Sequence, residues 1–69
     1  MSTADAERAE RIADLDHELR TPLAAIAGYA ELLATRADEA TRLEAARIIT
    51  TSVERLRLTL DRLLVELAE

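Results

Sequence analysis

The chain has no cysteine, lysine, tryptophan or phenylalanine, and only one histidine, one proline, one glycine and one tyrosine: His17, Pro22, Gly28 and Tyr29. Without cysteine there is no disulfide framework and no thiolate zinc site, and a lone imidazole cannot build a histidine-rich metal centre. No resident metal or cofactor is therefore expected. Long hydrophobic runs are missing too, so no segment reads as a membrane span. Met1-Ser2-Thr3-Ala4-Asp5 has no basic region ahead of an apolar core, as a secretory signal would require. A soluble chain compatible with a reducing cytoplasm is expected. Positive charge is also scarce: nine basic against 14 acidic residues leave a net charge of -5. That balance argues against the phosphate attraction on which nucleic-acid binders depend, and no local basic stripe offsets it. All nine basic residues are arginine, a bias that reads as genomic base composition before function.

What remains is 49% hydrophobic, carried by Ala, Leu, Ile and Val, and 33% charged. Aliphatic and charged residues with almost no breakers describe long helices packed by short side chains, not sheets. A chain of 69 residues buries too little apolar surface to offset its conformational entropy comfortably. With disulfide and metal excluded, a partner chain is expected to supply the rest.

The pattern predicts a first helix over about residues 3–35, whose larger apolar residues Ile12, Leu15, Leu19, Leu23, Ile26, Ala30 and Leu33 recur in steps of three, four and seven. A second helix, over about 40–67, is more regular. Ala46, Ile49, Val53, Leu56, Leu60, Leu63 and Leu67 alternate steps of three and four, a coiled-coil-like seam widened by Ile48, Leu64 and Val65. The connection, about 36–39, is short and polar, so the helices must run antiparallel. Asp38 or Thr41 is placed to cap the second helix, the latter with Glu44 in a capping-box spacing. The expected architecture is all-α: one domain over 1–69, an antiparallel helical hairpin that pairs with a second copy as a four-helix bundle.

At about 100° per residue, His17 points away from the face set by Ile12, Leu19, Leu23 and Ala30. Position alone makes it an ordinary surface histidine. Thr21, one turn on, shares its side, Glu18 sits on its flank and Asp14 lies one turn before. An exposed imidazole beside a carboxylate and a hydroxyl can serve phosphoryl transfer, the neutral ring attacking while the carboxylate orients or accepts the ring proton. Pro22, inside the helical pattern, removes a backbone donor at a cost of about 3 kcal/mol, which predicts a kink beside His17. Ala24, Ala25, Gly28 and Leu32, with Tyr29 at the edge, make a shallow, partly apolar surface near the histidine. Such a patch suits a docking partner, although alanine-rich filler would look the same.

The run His17-Glu18-Leu19-Arg20-Thr21-Pro22-Leu23, continued by Ala24-Ala25-Ile26-Ala27-Gly28-Tyr29-Ala30-Glu31-Leu32-Leu33, closely resembles the H-box of HisKA-type sensor histidine kinases. The end of the second helix, Leu56 to Leu64, is also similar to the end of that domain. The resemblance implies that His17 takes phosphate from ATP and Mg²⁺ held by a separate catalytic domain and passes it to an aspartate on a response-regulator receiver. It further implies Glu18 as the acid/base neighbour of His17, Thr21 as the residue that places water for dephosphorylation in bifunctional members, and Pro22 as the kinking proline. Asp16 departs from the serine often found before the histidine and puts negative charge close to an incoming phosphate.

No segment resembles a nucleotide-binding element, so the chain is not expected to use ATP alone. The reading is thus the cytoplasmic phosphoacceptor and dimerisation domain of a sensor kinase that is itself membrane-bound. Two alternatives stand beside it: a stand-alone phosphotransfer module, and a structural coiled-coil adaptor in which substitution of His17 changes nothing.

Overall fold

The computed structural model describes residues 2–69 and contains two helices, α1 (Thr3–Thr35) and α2 (Glu39–Ala68). They pack antiparallel in a hairpin measuring 54 × 24 × 12 Å.

Side chains cap the N-terminus of each helix. Ser2 caps α1, its hydroxyl accepting from the Asp5 amide at 3.2 Å. Asp38 caps α2: its carboxylate accepts from the Thr41 amide at 3.0 Å and from the Thr41 hydroxyl at 2.7 Å. Of the two candidate caps, Asp38 therefore holds the position, and Thr41 serves it as a donor. Glu44 does not close a capping box; it pairs with Arg47 at 2.9 Å one turn later. α1 ends without glycine because the Arg36 amide and the Thr35 hydroxyl both donate to the Leu32 carbonyl, at 2.9 and 3.2 Å, satisfying an end group that would otherwise be open.

The two apolar seams divide in a way the spacing alone does not show. From α2, Ile49, Leu56 and Leu63 are half-buried, whereas Ala46, Val53, Leu60 and Leu67 are exposed. Steps of three and four interleave two seven-residue series, and one hairpin has a single neighbouring helix to cover them. α1 behaves alike: Leu15, Leu19 and Ile26 turn toward α2, while Ile12, Leu23, Ala30 and Leu33 do not. The only fully covered groups among the described residues are small: Pro22, Ala45 and Ser52. The connection Arg36–Asp38 separates the helices, with Pro22 buried on α1 and Ala45 and Ser52 buried on α2.

Helical projection then gives the hairpin two distinct flanks. One carries Ile12, Leu23, Ala30, Val53, Leu60 and Leu67, a mostly apolar surface left uncovered. The opposite flank carries His17.

Candidate functional site

His17 lies in the middle of α1 with its side chain in solvent, and Asp14 and Thr21, one turn to either side, are exposed with it. The Thr21 hydroxyl donates to the His17 carbonyl at 3.2 Å, which leaves its oxygen free to accept from a water on the outer side. That hydroxyl is therefore anchored rather than freely rotating.

α1 is assigned as one helix through Pro22. The proline cannot donate to the carbonyl of Glu18, so the backbone at the site has an acceptor that an ordinary helix would occupy. Its ring is not exposed. It is among the most buried side chains, so Pro22 also has a packing role that periodicity did not reveal.

Glu18 is exposed beside His17, and its carboxylate accepts from the Arg62 guanidinium of α2. Arg62 is also 3.8 Å from Glu66. The hydrogen bond and charge of Glu18, followed by the charge of Glu66, hold the Arg62 guanidinium above its ordinary pKa. Sequence reasoning missed Arg62. A seam residue, Leu63, directly follows it, and that was the only hint; pairing it with Glu18 required the register of the two helices.

Asp16 adds less charge than its position suggests. Arg20, one turn later, reaches its carboxylate at 2.8 Å, a bond that raises the Arg20 pKa and masks the acid next to His17. Both side chains are solvent-exposed, so the screening is partial.

Of the five residues read as a docking surface, Ala24 and Gly28 are exposed, but Ala25, Tyr29 and Leu32 are half-buried. Ala25 and Leu32, expected on the exposed side, are thus partly covered, while Tyr29 was expected at the edge; Tyr29 is within electrostatic reach of Arg47. A Cβ at Gly28 would meet nothing within 4 Å, and no glycine has positive φ, so neither backbone nor packing demands glycine there. On α2, helical projection places Leu58, 55% exposed, on the His17 side of the hairpin.

Toward the open end of the hairpin, a cleft of about 320 Å³ is lined by Ile12, Leu15 and Leu63 together with Glu18, Arg62 and Glu66. No helix among the described residues is long and apolar enough to cross a membrane.

Fold and site together place the protein among all-helical hairpins that carry a solvent-facing histidine with acidic and hydroxyl neighbours. The chain belongs to the His Kinase A (phospho-acceptor) domain family, whose model matches residues 7–66. It is therefore a phosphoacceptor and dimerisation domain of the histidine-kinase type, from two-component signalling. Domains of this family dimerise and work with kinase and response-regulator partners. Neither the curated proteins nor the solved structures yielded a match.

Proposed function

We propose that this chain is the phosphoacceptor and dimerisation domain of a sensor histidine kinase, with His17 taking phosphate from ATP and passing it to a response-regulator aspartate. The observation that carries the reading is an exposed His17 within the matched residues 7–66, flanked by Glu18 and Thr21.

ATP and Mg²⁺ belong to a separate catalytic domain. The unprotonated ring nitrogen of His17 attacks the terminal phosphorus; an N–P bond forms as the bond to the bridging oxygen breaks, and ADP leaves with the electron pair. Attack makes the ring a cation. Its remaining N–H proton passes to the Glu18 carboxylate, leaving a neutral phosphoimidazole. In the second transfer the ring takes up a proton from water at its other nitrogen, the regulator carboxylate attacks the same phosphorus, the N–P bond breaks, and the electron pair returns to the ring, which leaves as neutral imidazole. Thr21 holds the water that later hydrolyses the acyl phosphate, using the acceptor site its anchored hydroxyl leaves open.

Two copies pair through the flank bearing Leu23, Val53 and Leu60, completing a four-helix bundle and covering the second seven-residue series. The receiver docks on the opposite flank, over Ala24, Ala25, Gly28, Tyr29 and Leu32 of α1 and Leu58 of α2. Such a domain works on the cytoplasmic side of a membrane-bound sensor.

The test mixes the chain with the ATP-binding domain of its kinase, adds ATP and magnesium, and measures acid-labile phosphate on the wild type and on His17→Gln. Label on the wild type alone is expected. An unlabelled but dimeric wild type, beside a catalytic domain shown to bind ATP, would make a purely structural module the better reading.

A further inference from the structure

We infer that Arg62 is a positioning residue that restrains Glu18, competing with the His17 ring for its carboxylate and so setting the rate of autophosphorylation. The inference rests on the proposed role of Glu18 as acceptor of the ring proton.

Three observations support it. Glu18 follows His17 directly in α1, yet among the described residues its carboxylate is hydrogen-bonded across the hairpin to Arg62 and not to the imidazole. An arginine–carboxylate pair occupies acceptor positions that a proton-accepting group needs, and it fixes the direction in which the carboxylate points. Arg62 also has a second place to go: Glu66, one turn further along α2, lies 3.8 Å away, so the guanidinium can stay paired after Glu18 leaves. Finally, both residues line the cleft toward the open end of the hairpin, and their side chains are about half exposed, at 44% and 52%, so both have room to swing.

The pair therefore exchanges between two arrangements. In the one observed, Glu18 is tied to α2 and the ring N–H of His17 has no carboxylate to receive its proton. In the other, Arg62 rests on Glu66 and Glu18 turns toward His17. When phosphate arrives the N–P bond forms, ADP departs with its electron pair, and the ring proton goes to the released carboxylate. Because the pair is solvent-exposed its hold is weak, so the restraint lowers the rate without abolishing it.

The test compares Arg62→Ala, Arg62→Lys, Glu18→Gln and the double variant Arg62→Ala/Glu18→Gln, each mixed with the ATP-binding domain and Mg-ATP. Size-exclusion chromatography and circular dichroism establish that every variant remains folded. Arg62→Ala should autophosphorylate faster by up to about fivefold, the scale set by a weak exposed ion pair. Arg62→Lys should fall between the wild type and Arg62→Ala. In the Glu18→Gln background the Arg62 substitution should change nothing, a dependence that a general loosening of the hairpin would not produce. Transfer from already phosphorylated protein to the regulator should keep its wild-type rate. An unchanged or slower Arg62→Ala, or the same gain without Glu18, overturns the inference. Loss of label on His17→Gln with label on the wild type tests the functional reading separately, so the two can fail independently.

Discussion

At the residue level, the site is assembled from side chains whose neighbours on the same helix fix what they can do. Thr21 is the clearest case. Its hydroxyl hydrogen is committed to the His17 carbonyl, so the group meets solvent as an acceptor. Replacing it with alanine removes a surface hydrogen bond of little consequence for folding, within about 0.5 kcal/mol. Dephosphorylation of the regulator should nevertheless fall roughly tenfold to a hundredfold, at or below the usual contribution of one positioned proton-transfer group. Release of inorganic phosphate from phosphorylated receiver, measured beside the melting temperature, separates the two effects. An equal loss of both would return Thr21 to an ordinary helical threonine. Asp16 teaches a related lesson: read alone it is a repulsive charge beside an incoming phosphate, but Arg20 turns it into half of an ion pair.

At the level of the elements, α2 depends on the cap at its first turn. Hydrogen bonds from the Thr41 side chain and then its amide, aided by the charge of Arg36, hold the Asp38 carboxyl below its ordinary pKa. A carboxyl depressed in the folded state stabilises the fold above its unfolded pKa, and that contribution disappears as pH falls through the folded value. Asp38→Ala should therefore melt several degrees below the wild type at neutral pH, and the gap should narrow below about pH 4. Asp38→Asn, which can still cap, should keep most of the stability but lose part of this acid dependence. Thermal melts from pH 7 to pH 3 would show it; a gap that stays constant across the range would mean that the ionised cap contributes nothing. Toward the open end of the hairpin α1 has its own cap, the Ser2 hydroxyl, which carries no charge to titrate. There the cross-helix tie among the described residues is Glu18 with Arg62, which is why that end is the place for a rearrangement.

The whole molecule is incomplete as a single hairpin. Leu23, Val53 and Leu60 are 52%, 51% and 53% exposed, on the flank opposite His17. Two faces with different tasks should respond differently to the same chemistry. Leu60→Glu places a charge in the proposed dimer seam and should give a monomer by analytical ultracentrifugation, with a large loss of helicity at low concentration. Leu58→Glu, equally exposed at 55% but on the His17 flank, should leave the dimer intact and slow phosphotransfer to the regulator. A dimeric Leu60→Glu protein would move the pairing surface elsewhere.

The all-helical hairpin and its short polar turn were legible in the sequence because helix periodicity and the lack of breakers are local properties of the chain. His17 with Glu18 and Thr21 was legible for the same reason, since neighbours within one turn are set by helix geometry alone. Nothing local distinguishes Leu56, which packs against α1, from Leu60, which does not: both lie on one broad stripe, and only a second helix at a definite angle divides it. The burial of Pro22, the half-buried setting of Ala25 and Leu32, and the bond from Arg62 to Glu18 belong to the same class. Each depends on the register between residues tens of positions apart, a quantity that no single helix contains and that packing of the two decides.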